Sequence, residues 1–148
     1  MRISTLLMFG VCGLSGGGWL LAADNEQELK KFEGTWTLSS GEADGKPLTE
    51  KQLKGGTLVI KGDHYTVTIP GKEKTTGTQK VDPTKTPHAV DITDDSGPNK
   101  GKTRLGIYEF KGEEFHCVFS AAGKERPSKF STAAGSGQWL HVWQRAKK

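Results

Sequence analysis

Phe32-Glu33-Gly34-Thr35-Trp36 opens the first alternating segment of this 148-residue chain, and its Gly-x-Trp is answered at the far end by Arg145. A Gly-x-Trp that starts an all-β chain, with an Arg held back for the last strand, predicts first and last strands lying side by side. That arrangement is a small closed barrel.

Outward from this stretch the chain reads as short strands and turns. Thr35 to Ser40 is the first strand, and Gly41 to Gly55 is a polar connection with room for one helical turn around Thr49-Glu50-Lys51-Gln52. Thr57 to Lys61 and His64 to Ile69 flank Gly62-Asp63, a link short enough to require a hairpin. Glu73 to Val81 and His88 to Thr93 follow, then Lys102 to Phe110 and Glu114 to Ser120 around a second tight turn. Ala121 to Ala134 is a long connection, and Gln138 to Arg145 closes the chain. About eight strands with no crossover helix between them predict an antiparallel up-and-down barrel, all-β apart from a short N-terminal helix. Glu28, Leu29 and Phe32 share one face of that helix.

Alternation sorts the strands into faces. Leu58 with Ile60, Val67 with Ile69, Val90 with Ile92, and Leu105 with Ile107 are expected inside, as are Phe115, Cys117, Phe119, Leu140 and Val142. On that parity Trp139, His141, Trp143 and Arg145 point outward, and the two Trp need either a cover or a partner.

Residues 1–23 carry one basic residue, an apolar run and a small-residue exit at Ala22-Ala23, the order of a secretory signal peptide. The expected product is one domain, 24–148, secreted or periplasmic, monomeric and without a membrane span. A signal anchor is disfavoured by Gly16-Gly17-Gly18, and lipidation at Cys12 by the bulky Phe9-Gly10-Val11 lead-in. With the signal removed Cys117 is the one thiol, which excludes an internal disulfide. The net charge is +4 and becomes +3 without Arg2. Its Lys residues are scattered among acidic ones instead of forming a stripe with aromatics, so no nucleic-acid partner is expected.

Several phrases in order resemble an uncharacterised secreted planctomycete-type domain family that is lipocalin-like. They are Phe32-Glu33-Gly34-Thr35-Trp36, Ser40-Gly41-Glu42-Ala43-Asp44-Gly45-Lys46-Pro47-Leu48, Asp82-Pro83-Thr84-Lys85, Gly106-Ile107-Tyr108-Glu109 and Gly123-Lys124-Glu125-Arg126-Pro127. The resemblance implies a barrel and secretion, and brings no activity with it. The looser likeness to lipocalins implies that Gly34, Trp36 and Arg145 close the barrel, with the guanidinium over the indole, worth about 0.5–2 kcal/mol.

No catalytic constellation stands out. His64, His88, His116 and His141 fall on four different predicted strands, so no metal site is expected. There is no Gly-x-Ser-x-Gly elbow and no base set beside an activated nucleophile, so neither an enzyme nor a cofactor is expected. Arg126 has two readings: a clamp holding the long connection to Glu42 or Glu109, or a binding group at the barrel mouth.

An eight-stranded barrel is either filled by side chains or holds one small ligand. The leading expectation is a non-catalytic module that binds a small hydrophobic molecule, lined by Trp36, Ile60, Val67, Ile92, Leu105, Ile107, Phe115 and Phe119. The alternative is a filled barrel that binds an envelope protein or polymer through an outer face carrying Trp139 and Trp143.

Overall fold

The computed structural model describes residues 17–147, with side chains from residue 25 onward. Of the segment read as a signal peptide, residues 1–16, including Cys12, lie outside the described residues. The N-terminal helix, α1, runs Gly17–Phe32, longer than the short helix expected from residue 24. The strands are β1 (Gly34–Ala43), β2 (Lys46–Pro47), β3 (Thr57–Lys61), β4 (His64–Thr68), β5 (Thr75–Asp82), β6 (His88–Asp94), β7 (Thr103–Lys111), β8 (Glu114–Phe119) and β9 (Trp139–Arg145). A single helical turn, α2 (Glu50–Leu53), starts from a capping box in which Thr49 and Gln52 satisfy each other's backbone N–H.

Each strand from β3 to β8 pairs antiparallel with the next, β1 pairs with β3, and β1 also pairs with β9. The result is a closed eight-stranded up-and-down barrel, with β2 a two-residue appendage on β1. Two hairpins share one device. Gly62 and Gly112 each stand first in a two-residue link at φ 59°. That is the positive φ a II′ turn needs in order to match the twist of its strands.

One end is plugged by aromatic rings. Phe32, the last residue of α1, meets Tyr108, Phe110 and Phe115 at centroid distances of 4.9, 4.7 and 5.3 Å. Trp36 meets Phe115 edge-on at 4.6 Å and is almost wholly buried. Glu28 ties the helix down by accepting a hydrogen bond from the Tyr108 hydroxyl at 2.9 Å and pairing with Lys31 at 2.7 Å. Burial, then the Glu28 carboxylate, pushes the Tyr108 hydroxyl well above the usual phenol range.

The faces expected of β7 and β9 are reversed. Arg104 and Tyr108 point inside, and so do Trp139, His141 and Trp143. Leu105, Ile107, Leu140 and Val142 therefore stand on the outer face. Both faces of these strands are apolar, so alternation alone could not choose between them. The outer face is hidden because the β8–β9 connection straps across it. Ala89, Ile107, Val118, Leu140 and Glu42 are successive partners on β6, β7, β8, β9 and β1. Arg126 grips the β6–β7 end of that row, and Thr132 grips Glu42 at its β1 end. Four interstrand gaps come to about 19 Å, and the six steps from Arg126 to Thr132 span about 20 Å when extended. Pro127, within the strap, is buried, as are Ile107 and Val118 on the wall it crosses.

Candidate functional site

Above the aromatic floor the barrel is hollow. A cavity of about 730 Å³ runs from Phe32, Ile60 and Phe115 up to a rim of Lys51, Gln52, Lys72, Glu73, Pro98 and Asn99. Its walls are mainly apolar and aromatic, and its volume falls in the roughly 300–1,000 Å³ range of small-molecule sites.

Of the residues expected to line a ligand, Ile60, Val67, Ile92, Phe115 and Phe119 face this space. Leu105 and Ile107 do not: they sit on the outer face of β7, where Ile107 is buried under the strap and Leu105 is half-buried. Trp36 lies in the floor, beneath Phe115. Trp139 and Trp143, expected outside, line the cavity, which removes the outer Trp face on which a protein- or polymer-binding surface was built.

The closure residues meet. Arg145 lies over the Trp36 ring, 4.1 Å from its centroid, and pairs with Trp36 across β1 and β9. Gly34 adopts φ +123°, and a Cβ there would come within 3.1 Å of the Arg145 guanidinium. Arg126 is not at the mouth. It holds Asp91 at 2.7 Å and donates to the Gly106 carbonyl at 2.8 Å on the outer wall, engaging neither Glu42 nor Glu109. The four His residues lie on β4, β6, β8 and β9. His116 stands near Glu114 at 3.4 Å and Glu109 at 3.8 Å.

Inside the cavity the walls carry a polar cluster. Asp94 is 2% exposed, and both its oxygens accept from Arg104 Nη2, at 2.8 and 2.7 Å. The Tyr65 hydroxyl donates to Asp94 Oδ1. Burial, then the Asp94 carboxylate, pushes that hydroxyl far above its ordinary range, so it stays a donor. Tyr65 reaches Asp94 across β5 because Gly77, the residue between them in register, has no side chain. Arg104 also lies over the Trp139 ring at 4.6 Å, and Trp139 stacks on Phe119 at 5.5 Å. Phe119 in turn lies against Gly106, where a Cβ would fall 2.4 Å from its ring. Packing thus holds the guanidinium on one side while the carboxylate holds it on the other.

His141 faces the same space, and burial, with Lys72 and Arg104 nearby, lowers its pKa to about 4. Burial raises the Cys117 thiol to about 12, which leaves it without thiolate character. The neutral imidazole and the protonated thiol add no charge to the cavity. Among its lining residues, Asp44, Glu73 and Asp94 are matched in number by Lys51, Lys72 and Arg104.

Sequence reasoning missed Tyr65, Gln79, Asp94 and Arg104, and placed Trp139 and His141 on the outer face. A signal for part of the set lay in β7 itself. Arg104, Tyr108 and Phe110 share one parity with Gly106, a residue that makes room for a neighbour's ring, while the smaller Leu105 and Ile107 hold the other. No family model, no curated protein and no solved structure matches this chain.

Proposed function

We propose that this chain is a non-catalytic binding module that carries one small, mainly apolar molecule inside its barrel, in a secreted or periplasmic setting. The observation behind this reading is the cavity of about 730 Å³, closed at its floor by Phe32, Trp36 and Phe115 and lined above by aliphatic and aromatic side chains. A cavity this large and apolar gives up dispersion contacts that a filled core would make. A ligand restores those contacts and removes its own apolar surface from water.

The titratable groups inside favour binding over catalysis. Asp94 is committed to Arg104 and Tyr65, and Cys117, the cross-strand partner of His141, keeps its proton and donates to the His141 backbone carbonyl at 3.7 Å. Native mass spectrometry of the protein purified from its own source tests the reading. A population carrying one added small molecule of constant mass supports it, and a protein that is bare under conditions preserving non-covalent complexes contradicts it.

A further inference from the structure

The polar patch in the cavity wall has donors that the fold leaves unused. Gln79 is 6% exposed and lines the cavity, yet its Nε2 meets no acceptor among the described residues. The same is true of Arg104 Nε, although the Nη2 of that guanidinium is fully engaged with Asp94. A buried donor without an acceptor costs about 1–3 kcal/mol, so two on one wall are unexpected in a fold that only needs to be stable.

Their placement is shared. Gln79 pairs with Ile92 across β5 and β6, and Ile92 pairs with Arg104 across β6 and β7. The three form one inward row, with Ile92 as an apolar step between two donors. The backbones of Gln79 and Arg104 are two interstrand gaps apart, about 10 Å, and both side chains are long enough to meet one ligand head between them.

We infer that the ligand is a neutral molecule whose apolar body carries a hydrogen-bond-accepting carbonyl oxygen (a ketone, ester or amide), received by the Arg104 and Gln79 donors. This rests on the ligand-binding reading given above. A pure hydrocarbon leaves both donors unmet. A carboxylate would satisfy them, but it would set a second anion beside Asp94, whose charge already balances Arg104. The desolvation of that extra charge has no counter-charge to offset it. A cation would face Arg104 itself. The neutral carbonyl matches the donors without disturbing the charge balance of the wall.

Three probes of nearly one shape separate these cases: 1-acetylpyrene, 1-ethylpyrene and pyrene-1-carboxylate, each titrated into the full chain by fluorescence. The expected order places 1-acetylpyrene tightest, about tenfold ahead of 1-ethylpyrene, the worth of one or two buried hydrogen bonds. Pyrene-1-carboxylate should bind more weakly than 1-acetylpyrene. Gln79→Met should narrow the acetyl-over-ethyl preference by at least about threefold and not lower Tm, since the group removed has no partner.

If 1-ethylpyrene equals 1-acetylpyrene, or the carboxylate binds tightest, the inference is overturned while the binding cavity stands. An acetyl preference that Gln79→Met leaves untouched also overturns it. If none of the three binds, the cavity reading falls with it. Should Gln79→Met fail to fold, the ranking of the three probes on the unaltered protein decides alone.

Discussion

The Arg145 guanidinium lies 4.1 Å over the Trp36 indole, and together the two side chains cap the helix that plugs the barrel. Trp36 Nε1 donates to the Phe32 carbonyl at 2.7 Å, and Arg145 donates to the carbonyls of Glu33 and Lys31 at 2.9 and 3.0 Å. Carbonyls at a helix C-terminus have no partner within the helix, and they carry its partial negative charge. Gly-x-Trp and the late Arg therefore join the two ends of the sheet and seat α1 against it.

Trp36→Ala should cost about 3–5 kcal/mol in chemical denaturation, as for other buried aromatics. Arg145→Met keeps most of the packing but removes the charge and the caps, and should cost about 1–2 kcal/mol. It should also make the segment from residue 25 to residue 33 more sensitive to limited proteolysis. A loss below about 1 kcal/mol for Trp36→Ala would contradict its place in the floor.

Gly77 is the gap through which Tyr65 reaches Asp94. A Cβ there would lie 2.4 Å from both the Tyr65 hydroxyl and the Thr93 carbonyl, and the carbonyl belongs to the paired strand and cannot yield. Gly77→Ala should therefore destabilise by about 2–3 kcal/mol, the range of an overpacked core. Tyr65→Phe, which only removes one hydrogen bond to a charged group that Arg104 still holds, should cost about 1–2 kcal/mol. Equal effects, or a neutral Gly77→Ala, would show that the strands part more easily than this close packing allows.

Strand order, hairpins and the closing pair were legible in the sequence because they depend on local chemistry: turn glycines, period-two alternation, and a rare residue at each end. The facing of β7 and β9 was not. Alternation identifies the inner face only when the outer face is polar, and Ile107, Val118 and Leu140 make the outer face apolar. What hides them is a loop strapped across the barrel by Arg126 and Thr132, a tertiary relationship with no periodic trace. The polar wall was missed for the same reason. Arg104 and Asp94 read as surface charges until the strands are closed and both side chains turn inward.

His141 makes stability depend on pH. Its folded pKa is about 4, against an ordinary 6.5, because burial and then Lys72 and Arg104 oppose its protonation. As pH falls below 6.5 the unfolded chain takes up the proton first, so the folded state loses ground until about pH 4. The loss should be about 1–3 kcal/mol across that window, with no contribution from this group above it. Denaturation of His141→Gln alongside the unaltered protein should show the unaltered protein losing about 1–3 kcal/mol more than the variant as pH falls from 6.5 to about 4. Parallel curves would place the imidazole in water.

The strap gives a separate test. Arg126→Met should cost about 1–3 kcal/mol, because it leaves Asp91 without its partner and frees the Gly106 carbonyl. It should also raise hydrogen exchange in residues 121 to 132 more than in β3 and β4, on the far side of the barrel. Uniform exchange across the molecule would mean that the connection is held by something other than this grip.

The binding claim itself is tested most directly by titrating Nile red, a neutral apolar dye with a carbonyl, into three forms of the protein: unaltered, Val67→Trp and Val59→Trp. Val67 lines the cavity, whereas Val59, its neighbour in the same hairpin, faces out and is 42% exposed. The account predicts one saturable site with a blue-shifted emission in the unaltered protein and in Val59→Trp, and its loss in Val67→Trp with the fold intact by circular dichroism. Undiminished binding in a folded Val67→Trp, or no saturable site in the unaltered protein, would contradict it.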